Sequence, residues 1–163
     1  ISGFKQVVYK PLSYYIVPPN RILYSSIMTK EEVEQKSTNI EQAPCIFQEY
    51  IDKDFELRIT IVGKKVFPIK IQSQQNSATK FDWRKDQINV DYEIFDLPKR
   101  IEQKLLHLHQ KFEMFFGAYD FIVDPKGEYY FLEVNPAGQW LWMEEVLNLN
   151  ISECIAEALV NKK

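Results

Sequence analysis

Glycine is scarce, with five in 163 residues at positions 3, 63, 117, 127 and 138. A phosphate-binding P-loop or a dinucleotide fingerprint needs several glycines within about eight residues, so neither can be written here. No His-Glu-x-x-His occurs, and the two histidines, His107 and His109, stand two apart in a helical pattern, on nearly opposite sides. Two cysteines, Cys45 and Cys154, are too few for a disulfide framework or a structural zinc site of about four ligands, and read as buried thiols. Positive charge has no excess: 20 Lys and Arg face 23 Asp and Glu, a net charge of -3. That is the wrong sign for a domain held to nucleic acid through phosphates. No apolar run approaches the roughly 18 to 20 residues that cross a bilayer, and no basic-then-apolar leader opens the chain. A cytoplasmic protein is expected, with neither nucleic acid nor membrane as partner.

What is present is foldable: 45% hydrophobic and 26% charged residues, without low-complexity runs. The chain opens on Ile1 with a strand pattern from residue 4, so further N-terminal residues are expected in the parent protein. Residues 4–10 and 22–28 read as strands separated by a loop at 13–20 carrying Pro18-Pro19. Thr29 and Glu32 have capping-box spacing for a helix that ends near Asn39. Strands at 45–51, 55–62 and 65–72, the last two joined by Gly63-Lys64, are expected to form one antiparallel sheet. One face of that sheet is expected to look across a cleft at a hairpin, 119–134. The region 73–80 reads as loop and 92–95 as a short strand. A helix is predicted from Pro98 to Phe116 with Gly117 as its stop, burying Ile101, Leu105, Leu108, Phe112 and Phe115. The hairpin strands are 119–123 and 128–134, around Asp124-Pro125-Lys126-Gly127. Helices at 141–147 and 152–160 close the chain, the second capped by Ser152 and both packed by Trp140 and Trp142. Strands early and helices late make an α+β fold.

The pattern that carries chemistry is Asp120 across this hairpin from Glu133 and Asn135. With an even-numbered loop, position 120 opposes 131, and Asp120, Glu133 and Asn135 share one face. A three-residue loop would separate the two acids. Adjacent carboxylates repel unless a cation or protons intervene, and hard oxygen donors suit Mg²⁺ that also holds phosphate oxygens. The plain alternative is a solvated strand face with scattered acids. Alternation places Glu56 and Arg58 on one face as well, and Lys70 on the strand beside Arg58.

These residues carry a resemblance. Phe131-Leu132-Glu133-Val134-Asn135-Pro136, with Asp120 upstream, resembles the metal-binding end of the ATP-grasp fold. Phe47-Gln48-Glu49-Tyr50-Ile51 followed by Glu56-Leu57-Arg58 is similar to its adenine hinge and the contacts after it. Val7-Val8-Tyr9-Lys10-Pro11-Leu12 is similar to its lysine strand. Asp82-Trp83-Arg84 and the stretch from Asn135 to Trp142 look like the graspetide, or microviridin-type, peptide ligases and the related ribosomal-protein glutamate ligases. The family's glycine-rich flap has no glycine counterpart in 13–20, and its N-terminal domain and an earlier lysine lie outside this sequence.

The resemblance implies antiparallel sheets enclosing a nucleotide cleft in one ATP-grasp region. Residues 1–52 would form the smaller lysine-strand subdomain and 53–163 the larger one with the metal site. It implies ATP and Mg²⁺ as cofactors. Lys10, Gln48, Glu49, Tyr50, Ile51 and Glu56 would bind nucleotide, Asp120, Glu133 and Asn135 the metal, and Arg58, Lys70 and Arg84 would be catalytic. The activity implied is ATP-dependent carboxylate ligation through an acyl phosphate, making an ester or amide in a precursor or acceptor peptide, with a homodimer among the assemblies. The readings in competition are a non-catalytic nucleotide- or leader-peptide-binding module, a glutamate-ligase-type protein modifier, and a kinase.

Overall fold

The structure, a computed structural model, describes residues 3–12, 16–17, 21–22, 25–36 and 44–161. The chain divides into two compact units, residues 1–52 and 53–163.

In the first unit, β1 (Gln6–Pro11) is the middle strand of a three-stranded antiparallel sheet, between β4 (Ser26–Thr29) and β5 (Cys45–Glu49). A separate pair joins β2 (Ile16–Val17) to β3 (Arg21–Ile22). Thr29 caps α1 (Lys30–Gln35) with both halves of a capping box: its Oγ1 accepts from Glu32 N, while Glu32 accepts from Thr29 N. Helix α1 lays Val33 onto Val7 and Met28, with Tyr9 and Phe47 alongside. Helix α1 ends at Gln35, short of the expected end near Asn39, with Lys36 as its C-cap donating its N–H to Glu32 O. Most of the predicted loop at 13–20 lies outside the described residues.

The second unit holds a five-stranded antiparallel sheet in the order β10-β9-β6-β7-β8. Its strands are β6 (Phe55–Val62), β7 (Lys65–Ile71), β8 (Tyr92–Ile94), β9 (Phe116–Val123) and β10 (Tyr129–Asn135). Gly63, at φ 60°, turns the β6–β7 hairpin in a conformation that favours glycine. The helices are α2 (Lys99–Lys111), α3 (Leu141–Leu147) and α4 (Ile151–Asn161). Alternation along β6 sends Leu57, Ile59 and Ile61 into a core under α2 with Leu105, Tyr119 and Phe121. The opposite face, toward Val62 and Ile69, packs on Met143, Ile151 and Cys154 of the last two helices. Trp140 and Trp142 pack against this second core, as expected.

Several expectations are corrected. Strand β5 does not join β6 and β7: it pairs with β1, and both edges of β6 are already taken, by β7 and β9. For the same reason the 116–135 hairpin does not face that sheet but extends it. Helix α2 ends at Lys111, well before Gly117. Glu113 adopts the left-handed conformation (φ 52°), and the bonds from Met114 N to His109 O and Glu113 N to Gln110 O close a Schellman turn. Phe112 is therefore exposed, and Gly117 lies inside β9. Ser152 sits one residue inside α4 rather than capping it; its N–H and hydroxyl donate to Glu144 Oε2 at 2.9 and 2.6 Å. His109 is buried and His107 exposed, on different sides of α2. Cys154 is buried and Cys45 half-buried.

Candidate functional site

The site is built on the three adjacent strands β6, β9 and β10. Arg58 pairs with Asp120 across β6 and β9, and Asp120 with Glu133 across β9 and β10. Direct cross-strand partners share a face, so a cation and two acids stand in a row. Asn135, two residues beyond Glu133, shares that face.

The turn is not the even-numbered loop the sequence suggested. Asp124 N donates to Glu128 O, so three residues lie between them, and the ladder starts with Tyr129 opposite Val123. Continued regularly, that register would set position 132 against Asp120 and send Glu133 to the other face. A bulge between Phe131 and Glu133 inserts Leu132 as the extra residue and restores Glu133 opposite Asp120. The expected face-sharing is thus reached by a different route.

Both carboxylate oxygens of Asp120 accept from Arg58 Nη1, at 2.8 and 2.9 Å. The pair is largely buried, with side chains 12% and 21% exposed. Burial pushes the Asp120 carboxyl above its ordinary value, against the pull of Arg58 and with Glu133 adding to the rise. Arg58 Nη2 has a long 3.5 Å contact to Gln139 O, and its buried Nε has no partner. Arg84 donates from Nε to buried Asp82 at 2.9 Å, and its charge also interacts with Asp120 and Glu133. Asp82 further accepts from Arg84 N, fixing the short turn Trp83–Lys85. Glu56 is bonded by Lys53 Nζ at 2.6 Å; that ammonium also donates to Phe81 O, tying the start of β6 to the segment carrying Arg84. Burial raises the Glu56 carboxyl, opposed by Lys53 and a bond from Ser73.

Asn135 is exposed, and its Oδ1 accepts from Ala137 N. The chain then turns back so closely that a Cβ on Gly138 would lie 2.5 Å from Ala118 Cβ and 2.8 Å from Arg58 Nη2. Only glycine fits there without displacing the arginine.

Lys70 is not brought to this group. It pairs with Leu57, on the face opposite Arg58, and binds Glu93 at 2.8 Å while lying 4.6 Å over the Phe55 ring. In the first unit, Lys10 pairs with Ile46 and Gln48 with Val8, which puts Lys10 and Gln48 on one face of that sheet. Glu49 pairs with Val7 and belongs to the other face. Tyr50 donates its N–H to Gln6 O, and Ile51 is half-buried just after.

The donor set suits a hard divalent cation: Asp120, Glu133 and Asn135 offer oxygens from one face. Among the described residues no cluster of three or more His, Cys, Asp or Glu side chains could hold a metal. With two acids and an amide, a metal here would complete its shell with oxygens from outside the protein, as Mg²⁺ does with phosphates.

Sequence reasoning missed Lys53, Leu132 and the packing role of Gly138. Nothing in the alternating pattern marks Lys53, and a bulge residue that is neither glycine nor proline leaves no signal. Gly138 could have been questioned, as a glycine just after Asn135-Pro136-Ala137.

Neither a family model nor a curated protein matches the sequence. Solved structures do. A RiPP-associated ATP-grasp ligase from Chryseobacterium gregarium, in complex with ADP and a leader and core peptide, is 35% identical, with a TM-score of 0.89 over 97% of this chain and 49% of that one. The macrocyclase MdnC from Microcystis aeruginosa, bound with precursor peptide MdnA, is 40% identical with a TM-score of 0.81, over the same shares of the two chains. The ATP-grasp ligase PsnB, complexed with minimal precursor, Mg and ADP, shares the fold at 16% identity and a TM-score of 0.73, over 95% of this chain and 46% of that one. The chain spans about half the length of these structures. The fold is ATP-grasp. Within it, the chain is similar to a RiPP-associated ATP-grasp ligase and to a macrocyclase solved with its precursor peptide.

Proposed function

We propose that this chain is the nucleotide-binding part of an ATP-dependent carboxylate ligase that forms ester or amide bonds in a peptide. The observation that carries this reading is the row of Arg58, Asp120 and Glu133 on one sheet face, with Arg84 beside it and Asn135 at its end. The similarity to two proteins solved with ADP or precursor peptide supports it.

In the proposed reaction a substrate carboxylate takes the γ-phosphoryl group of ATP, giving an acyl phosphate and ADP. A peptide hydroxyl or amine then displaces phosphate and loses its proton, leaving the ester or amide. The barrier to the first step is repulsion between a carboxylate and a polyanion, which bound Mg²⁺ lowers by neutralising charge. Asp120, Glu133 and Asn135 would hold the ion. Arg58 and Arg84 would hold phosphate oxygens, and Lys10 would bind the nucleotide phosphates as a point charge. Glu56, held by Lys53, would accept from a ribose hydroxyl, and the backbone of Gln48 to Ile51 would take the adenine edge. Lys70 and the Glu49 side chain have no part in this scheme. No residue needs to act as a covalent nucleophile.

The test is to incubate the complete protein with ATP, Mg²⁺ and a candidate precursor peptide, and weigh the product. Loss of one water per bond formed supports ligation. A phosphate gain would indicate a kinase, and nucleotide binding without turnover a binding module. Action on a precursor peptide with ATP fits the cytoplasm, and light scattering would decide whether the protein is a homodimer.

A further inference from the structure

We infer that Arg58 is a stand-in cation, which neutralises Asp120 in the nucleotide-free protein and leaves it when metal and nucleotide arrive together. The inference rests on the nucleotide-site reading above and adds an order of binding to it.

Arg58 spends a single nitrogen, Nη1, on both oxygens of Asp120. The rest of the guanidinium is weakly committed, with Nη2 at 3.5 Å from Gln139 O and Nε buried without a partner. An arginine built only to brace Asp120 would be expected to use more of its five donors. Two further features give it latitude to move. Gly138 has no side chain where a Cβ would stand 2.8 Å from Nη2. The acids around it, Asp120 and Glu133, are shared with a second cation, Arg84, so withdrawal of Arg58 does not leave them without positive charge.

A cation entering at Asp120 meets a guanidinium already seated on both oxygens, and two positive groups brought that close repel each other. Metal alone therefore binds weakly. A nucleotide brings phosphate oxygens that give Arg58 another partner and complete the metal's shell, so the exchange becomes favourable. The consequence is reciprocal coupling: nucleotide tightens metal, and metal tightens nucleotide by the same factor.

The experiment uses the complete protein with Mn²⁺ as the probe, its binding followed by electron paramagnetic resonance, with and without ADP. Wild type should take up Mn²⁺ weakly alone and tightly with ADP. Arg58→Gln should bind Mn²⁺ alone about tenfold or more tighter than wild type, and lose a comparable factor of the ADP coupling. Unchanged or weaker Mn²⁺ binding by a folded Arg58→Gln protein overturns the inference while leaving the nucleotide site intact. Failure of wild type to bind ADP with or without Mn²⁺ overturns the nucleotide-site reading and the inference with it. Should the variant not fold, a crystal structure of the wild type with ADP and Mg²⁺ decides: Arg58 Nη1 should stand beyond hydrogen-bond distance of Asp120. Retention of both bonds beside a metal on Asp120 overturns the proposal.

Discussion

Strand β6 places Leu57, Ile59 and Ile61, each at most 1% exposed, on one side of the sheet, and Glu56 and Arg58 on the other. Strand β9 repeats the division, with Tyr119, Phe121 and Val123 beneath α2 and Asp120 beside Arg58. The two faces use the same backbone and the same hydrogen bonds but opposite physics. One removes apolar surface from water, about 1.5 to 3 kcal/mol for each fully buried aliphatic side chain. The other buries charge where Arg58 meets Asp120, beside the apolar stretch that packs on the last two helices, and buried charge costs free energy unless every ion has a partner. The apolar face thus supplies the rigidity that lets the charged face hold its carboxylates close together.

The largest expected effect falls on the apolar face. Ile59→Ala, at a position with no solvent exposure, should lower unfolding stability by about 3 kcal/mol in urea denaturation. A loss below about 1 kcal/mol would mean that this face is not the main core. Glu133→Gln tests the other face. Glu133 is exposed, so stability should move by no more than about 0.5 kcal/mol, and relief of its repulsion with Asp120 could raise it. Ligation by the complete enzyme should nevertheless collapse, together with the rise in melting temperature given by Mg·ADP. Activity that survives at saturating Mg²⁺ would remove Glu133 from the mechanism.

Local features of this fold were legible where local chemistry decides them. The Thr29–Glu32 box, the Gly63 hairpin and the alternation of Glu56 with Arg58 each depend on residues within a few positions of one another. Strand partnership does not. Strand β5 is as β-prone as β6, and nothing in its residues says that its partner is β1. The end of α2 was misplaced because glycine is the usual left-handed residue, and Glu113 took that conformation here. For the site, the sequence brought forward Asp120, Glu133, Asn135, Arg58 and Arg84, which the structure gathers on one side of the sheet or within electrostatic reach. Lys70 takes the face opposite Arg58 because its side depends on the register with Leu57, which a sequence does not state.

A smaller effect is expected from pH on the apolar face. His109 is 2% exposed and its Nδ1 lies 2.9 Å from the Tyr119 hydroxyl. Burial holds the imidazole below its usual value, partly offset by a bond to the Phe115 backbone. The unfolded chain therefore takes up the proton more readily than the folded one. The stability tied to the neutral ring is complete above about pH 6.5 and is lost as pH falls through the depressed folded value. The melting temperature of wild type should fall more steeply between pH 7 and 5 than that of His109→Gln. Parallel curves would show that this ring does not titrate with folding.

The smallest effect on the site should come from a change that looks severe, deletion of Leu132. Four residues separate Glu128 from Glu133, but only three separate Asp120 from Asp124, and Leu132 is the surplus that the bulge absorbs. Without it, Phe131 still pairs with Phe121, and Glu133 becomes its immediate neighbour opposite Asp120. The acids remain on the charged face, Phe131 and Val134 remain on the apolar one, and the ladder is regular. The cost is one half-buried leucine and the local twist that a bulge adds, about 1 kcal/mol by the usual scale of single changes. Replacing the three-residue turn by a two-residue one while keeping Leu132 would change the turn and leave the surplus in place, so it cannot substitute for this test. The deletion variant should keep its ADP-dependent Mn²⁺ binding within a few-fold of wild type. A folded variant that binds ADP but has lost Mn²⁺ would show that the bulge aims Glu133 in a way that pairing alone does not, and that the two faces are not set by register.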